Sequence, residues 1–524
     1  MSILTVENVT HGFGARAILE DASFRLLKGE HVGLVGANGE GKSSFLNIIT
    51  GELMPDKGKV EWSNRVTVGY LDQQTVLTKG KTIREVLREA FKGMYALEAE
   101  MFQIYEKMGE VSEAEVSRMD EVTRMMEDVG EIQNILENTG FYSIEAKIEG
   151  IANGLGLADI GLDRDVADLS GGQRAKVLLT KLLLQNPTIL ILDEPTNNLD
   201  FEHIEWLKKY LTNYENAFIL VSHDVPFMNE VVNVIYHVEN TLLTRYTGNY
   251  DQFLQLHELK KLQGMKAYEK QQKEVERLED FIARNKARFS TTGRAKSRQK
   301  QLDKMEILEK PREKSKPTFK FTEARTPGRI IFEAVDLVLG YDEPLTKPLN
   351  VNLERNQKVA IRGVNGLGKS TLLKTLLGII KPFSGIVLSG EFIHSGYFEQ
   401  ESVQDNTNTA MEEIWDEYPG LSNYEVRQAL AKCGLTNEHI TSQMMVLSGG
   451  ENAKVRLCKL MLKDVNWLVV DEPTNHLDVD AKAELKRALK DFKGTVVLVS
   501  HEPEFYEDWV TDIWNVEDWT TKIV

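Results

Sequence analysis

Gly36-Ala37-Asn38-Gly39-Glu40-Gly41-Lys42-Ser43 is the stretch from which the fold can be read. It has the form GxxxxGK[ST], closes the apolar run HVGLVG and precedes the helix-forming SFLNIIT. That strand–loop–helix context is the one in which such a loop holds phosphate. A second copy, Gly363-Val364-Asn365-Gly366-Leu367-Gly368-Lys369-Ser370, stands between KVAIRG and TLLKTLLGI. One match arises by chance on the order of 10⁻⁵ per position at ordinary glycine usage. Two in matched contexts mark an internal repeat.

Outward from the loops the spacings repeat as well. Lys42 to Gln73 and Lys369 to Gln400 are each 31 residues. Ser170 of LSGGQ to Glu194 of ILILDEP is 24, as is Ser448 of LSGGE to Glu472 of WLVVDEP. Glu194 to His223 and Glu472 to His501 are each 29. Only the stretch from glutamine to LSGG differs, 97 residues against 48, which places an insertion of about 49 between Gln73 and Ser170. Apolar runs such as TILILDE, AFILVSH and TVVLVSH read as buried parallel strands alternating with helices, so each half is α/β. The expected organisation is a first P-loop domain over 1–250 with a helical arm at about 91–140, a linker over 251–325, and a second P-loop domain over 326–524. The arm reads as two helices parted near Gly109 and Val111. The linker reads as a long helical hairpin. Leu259, Leu262, Val275, Leu278 and Ile282 would face Leu302, Met305 and Leu308, with Ser290-Thr291-Thr292-Gly293 as the turn.

Composition narrows the class. A chain of 524 residues exceeds one core, and 42% hydrophobic with 27% charged residues is ordinary for a globular protein. No apolar run approaches the roughly 18 residues of a membrane span, and MSILTVENVT has no signal-peptide plan. Cys433 and Cys458 form no metal or redox motif, and Cys458 reads as a small core residue. A cytoplasmic location is expected. Net charge is −17, but Phe281 to Lys320 holds 13 Lys and Arg against 4 Asp and Glu, leaving about −26 for the rest.

Successive backbone N–H groups of a P-loop converge on phosphate at a helix N-terminus. Lys42 and Lys369 would neutralise the β and γ phosphates, with Ser43 and Ser370 on Mg²⁺. Asp193 and Asp471 would complete the Mg²⁺ shell, and Glu194 and Glu472 would polarise the attacking water. Gln73 and Gln400 would sense Mg²⁺ and the γ-phosphate, which His223 and His501 would contact. A lone histidine is more often structural, but two at one offset from two DEP motifs are not lone.

LSGGQ and LSGGE, beside DEPTNNLD and DEPTNHLD, resemble the signature, Walker B and D-loop set of ABC ATPases over nearly the whole chain. The resemblance implies two domains packed head to tail around two shared ATP molecules. One site would join Lys42 to Ser448, Gly449, Gly450 and Glu451. The other would join Lys369 to Ser170, Gly171, Gly172 and Gln173. Around the phosphates it adds Gly36, Asn38, Gly39, Gly41 and Ser44 in the first loop, with Gly363, Asn365, Gly366, Gly368 and Thr371 in the second. Phe13 and Tyr341 fit the aromatic that stacks on adenine.

Three clients suit such a clamp: a ribosome, a membrane transporter, and DNA in repair or chromosome maintenance. The linker discriminates among them. FIARNKARFSTTGRAKSRQKQLDKME, with YTGNYDQF before it, resembles the P-site tRNA-interaction linker of ABC-F proteins. Arg284, Lys286, Arg288, Arg294, Lys296, Arg298 and Lys300 flank its tip, spaced to neutralise phosphates. A charge run is more often a solvated face, but this one reverses the sign of the chain. The resemblance implies a cytoplasmic monomer with an internal pseudo-two-fold, acting from the ribosomal E site on large-subunit rRNA and P-site tRNA, and no membrane partner. The arm would meet the L1 stalk protein. It carries 12 acidic against 4 basic residues over Phe91 to Gly140, which favours a basic protein over rRNA. The short tip favours a housekeeping role in translation over antibiotic resistance.

Overall fold

Ala217–Val221 and Thr495–Val499 are buried at every residue, as strands covered on both faces must be. Each lies in the middle of a parallel sheet. A computed structural model describes every residue except 1, 14–15, 65, 72–79, 111–118, 198, 286–291, 306–307, 309–315, 342, 365, 400–405, 476 and 520–524, and also omits the side chains of 13, 16, 110, 119–121, 292 and 294–295. In the first half the parallel order is Val68–Tyr70, Ile189–Asp193, Ala217–Val221, His31–Val35 and Val234–Glu239, with Leu242–Thr247 added antiparallel at the edge. The second half repeats that order with Ser395–Phe398, Trp467–Asp471, Thr495–Val499, Lys358–Arg362 and Asp512–Asn515.

Each parallel sheet packs against a three-stranded antiparallel sheet: Arg16–Leu27, Ser2–Phe13 and Lys57–Trp62 in the first half, Leu349–Glu354, Ile330–Val338 and Ser384–Ser389 in the second. Leu4, Phe24, Phe45 and Ile219 fill the first of these cores, Phe332, Leu373, Val469 and Val497 the second. Each fully buried aliphatic side chain contributes about 1.5–3 kcal/mol. The opposite sheet faces carry helices, and Cys433 and Cys458 are buried there as ordinary core residues. Among the described residues no helix is long and apolar enough to cross a membrane.

The insertion forms the helices Lys92–Glu110 and Met119–Thr139, which bury Met101, Val129, Ile132 and Leu136 and expose Phe102, Tyr105 and Met126. The linker departs from expectation. Its first helix, Tyr250–Asn285, has 36 residues and is about 54 Å long. The returning helix, Thr292–Asp303, has 12. Leu278 is buried in the seam, and the Leu308 amide donates to Gln271 Oε1 at 2.7 Å, so position 308 lies opposite 271. Leu259, Leu262 and Leu308 are exposed rather than in the seam. Among the described residues the return is seen only as far as the contact of Leu308 with Gln271, and Phe319 and Phe321 are already buried in the second half.

Candidate active site

Every chemical group singled out by the repeat, where described, lies at the carboxyl end of a parallel strand or in a loop beside it, the usual place for ligands in open α/β sheets. The first P-loop leaves Val35 and runs into the helix Lys42–Thr50, capped by Gly41 at φ +99°. A Cβ on Gly36 would stand 2.6 Å from the Val238 carbonyl, and one on Gly41 2.4 Å from Ile18, so these glycines are required by close approach. The second loop enters Lys369–Leu376 through Gly368 at φ +94°. Lys42 Nζ donates to the carbonyls of Gly36 at 2.8 Å and Ala37 at 3.1 Å, and Lys369 Nζ to Gly363 at 2.6 Å. Burial lowers the pKa of both lysines, and the nearby Glu194 and Glu472 oppose that effect.

Glu194 and Glu472 follow the strands ending in Asp193 and Asp471, and both hold left-handed backbones at φ +47° and +45°. Their amides donate to Val221 and Val499, which fixes the turn. Burial, reinforced by Asp193, pushes Glu194 up to about 8. Burial does the same for Glu472, against the pull of Lys369. The His223 amide donates to Glu194 Oε2 at 3.3 Å, and its Nε2 is 3.1 Å from Asn38 Oδ1. His501 Nε2 lies 3.2 Å from Glu472 and 2.9 Å from Lys369 Nζ, and burial holds this ring down near 4.

Asp471 Oδ1 is buried without a hydrogen-bond partner among the described residues, while the same carboxylate takes a hydrogen bond from Ser370. An acceptor-only oxygen beside a hydroxyl at a helix N-terminus suits a hard divalent cation. Ser43 and Asp193 hold the corresponding places in the first half. Mg²⁺ held by Ser370 and Asp471, and by Ser43 and Asp193 in the first half, would supply positive charge to offset that of the phosphates.

The halves meet across a cavity of about 1400 Å³. Ser170, Gly171, Gly172, Gln173, Glu194 and His223 of the first half line it together with Gly366, Glu472 and His501 of the second. At the first P-loop, Lys42 lies within the field of Asp478 and Lys454. Each signature serine caps its helix by a capping box, Ser170 with Gln173 and Ser448 with Glu451. Tyr341 is exposed beside the second P-loop domain's sheet. Gln73, Gln400, Asn365, Lys286, Arg288 and the side chains of Phe13 and Arg294 lie outside the described residues. Arg284, Lys296, Arg298 and Lys300 are exposed on the linker.

Two ion pairs escaped the sequence reading. Lys176 reaches Asp200 at 3.3 Å and Lys454 reaches Asp478 at 2.7 Å, all four side chains nearly buried. They join each signature helix to the aspartate that closes its D-loop, and those aspartates act across the cleft on Lys369 and Lys42. The signal was present, since each lysine precedes its aspartate by 24 residues.

Two family models, both described as ABC transporter, match the chain, one at residues 19–197 and 346–475, the other at 236–321. The uncharacterized ABC transporter ATP-binding protein YfmM of Bacillus subtilis (strain 168) is 62% identical over 524 residues, all of both chains. ABC transporter F family member 2 of Arabidopsis thaliana is 36% identical, over 98% of this chain and 75% of that one. Among solved structures, the model of ribosome-bound archaeal Pelota and ABCE1 superposes with a TM-score of 0.58 at 19% identity, over 96% of this chain and 75% of that chain, a likeness of fold. On this kinship, which runs nearly end to end, the chain belongs to the ABC-F family and is an ATPase.

Proposed function

We propose that this ATPase is a ribosome-associated factor whose ATP-closed form enters the E site and brings the linker against P-site tRNA and large-subunit rRNA near the peptidyl-transferase centre. The observation that carries the reading is the charge reversal in the linker. A segment of +9 sits in a chain of −17, and Arg284, Lys296, Arg298 and Lys300 are exposed around its tip. Phosphate contacts of this kind supply most sequence-independent affinity for nucleic acid. The same segment resembles the ABC-F linker, and the family assignment agrees with it.

In this reading ATP joins the P-loop of one half to the signature of the other and closes the cleft. Glu194 or Glu472 accepts a proton as water oxygen attacks the γ-phosphorus and ADP leaves with the bridging oxygen. Loss of the γ-phosphate contacts then reopens the clamp. The service rendered is regulation or rescue of translation, of a housekeeping kind, with the acidic arm meeting a basic protein such as that of the L1 stalk.

Sedimentation of the Glu194→Gln/Glu472→Gln protein with purified ribosomes, with and without ATP, tests the proposal. ATP-dependent co-migration with intact ribosomes is expected. Protein that stays at the top of the gradient in both conditions overturns the reading and directs the search to a membrane partner.

A further inference from the structure

His237, Glu239 and His257 stand together at the root of the linker, outside both ATP sites. His237 and Glu239 are two residues apart on the strand Val234–Glu239, which puts their side chains on one face. His257 is on the linker helix, two turns in from its start at Tyr250. Glu239 Oε2 lies 3.9 Å from His237 Nδ1 and 3.8 Å from His257 Nε2, and one ligand atom from each residue falls within 4.8 Å of the other two. Those carboxylate distances exceed hydrogen-bond length.

They are close to what an interposed cation needs. An ion about 2.0–2.2 Å from each of three tetrahedral ligands sets them roughly 3.3–3.5 Å apart, within a small side-chain rotation of the observed spacing. Aromatic packing holds both imidazoles. Phe253 meets the His237 ring edge-on at 5.0 Å and the His257 ring at 5.6 Å, and Tyr246 flanks His257. Neutral nitrogen is the form that binds a metal. Glu239 is the most exposed of the three, which leaves an open side for exchange and a fourth ligand.

We propose that His237, Glu239 and His257 form a binding site for a divalent transition ion of the zinc type, with two imidazoles, one carboxylate and one position left to solvent. That ligand set favours zinc over the oxygen-seeking Mg²⁺ of the ATP sites. The position gives the ion mechanical meaning. His237 pairs with Val35, the last residue before the P-loop, and His257 belongs to the helix that carries the basic tip. A bound ion therefore rivets the root of the linker to the strand beside the first ATP site.

The test uses the full chain, stripped of metal by chelator and free of nucleotide, titrated with Zn²⁺ by calorimetry and with Co²⁺ by its visible absorption. Wild type should bind one Zn²⁺ with these ligands, give the intense Co²⁺ bands of a four-coordinate site, and melt at a higher temperature with Zn²⁺. His257→Gln, on a surface helix, and Glu239→Gln, at a half-exposed position, should each weaken binding roughly tenfold or more and abolish the zinc-dependent rise in melting temperature. Unchanged binding of fluorescent ATP by both variants checks their folding. Failure of wild type to bind Zn²⁺ overturns the proposal, and so does equal affinity in wild type and both variants, which would assign the ion to other residues.

Discussion

The two ATP sites share their strand order and spacings, but their polar groups are wired differently. In the first, His223 Nε2 is 3.1 Å from Asn38 Oδ1 and 3.6 Å from Glu194. In the second, the equivalent nitrogen of His501 is 2.9 Å from Lys369 Nζ and 3.2 Å from Glu472. The signatures diverge in the same manner. Gln173 caps its helix as a neutral amide, whereas Glu451 caps as a carboxylate and lies 3.1 Å from His439 Nε2. The repeat thus fixes where the reagents stand, set by strand ends and the P-loop turn. It leaves open how charge is shared around them.

The sharpest way to break the comparison is to disable one base at a time. Glu194→Gln and Glu472→Gln should each lower hydrolysis at its own site by about 10²–10⁴-fold, and the double variant should lose both. Single-turnover phosphate release in the two single variants would reveal unequal intrinsic rates. A single variant as inactive as the double would show that the sites fire only together.

Next in size is the pair of buried ion pairs. Lys454→Ala and Lys176→Ala should each destabilise the protein by about 3–5 kcal/mol, since a buried aspartate is left without its cation. The Lys454 variant should suffer more, because its pair is shorter, 2.7 against 3.3 Å. Denaturant unfolding of the two variants side by side measures this.

A smaller effect is expected from pH. Both glutamates are pushed up to about 8, so below that value they hold a proton and cannot accept another. Hydrolysis measured as kcat/KM should therefore fall as pH drops from about 8 towards 6 and level off above 8. His501, held near 4, stays neutral throughout and adds no limb. Removing Glu194 should leave that profile in the second site alone. The gentlest change is Glu451→Gln, which makes the second signature like the first. It keeps the cap and removes the ion pair with His439, so KM for ATP in a Glu472→Gln background should move by less than about tenfold, or 1.4 kcal/mol.

Much of this arrangement was legible in the sequence because P-loops, strand ends and DEP motifs are local. Asp193 ends an apolar run in the sequence and a buried strand in the structure, so the same residues carry both readings. The misses are non-local. Leu259 and Leu262 keep a helical apolar spacing but are exposed, and the described return contact lies further along the helix, at Gln271. Lys176 and Asp200 meet only once the signature helix packs beside the D-loop. Glu239 and His257, 18 residues apart, converge because the linker helix doubles back over the sheet edge. Gly41 and Gly368 announce positive φ by residue type, whereas Glu194 and Glu472 do not.

That last feature sets the protein's chemistry against its own durability. A glutamate held in the left-handed region carries strain of order 1–3 kcal/mol, which glycine at the same place would not. Substituting glycine at 194 or 472 should make the chain harder to melt and unable to hydrolyse ATP at that site.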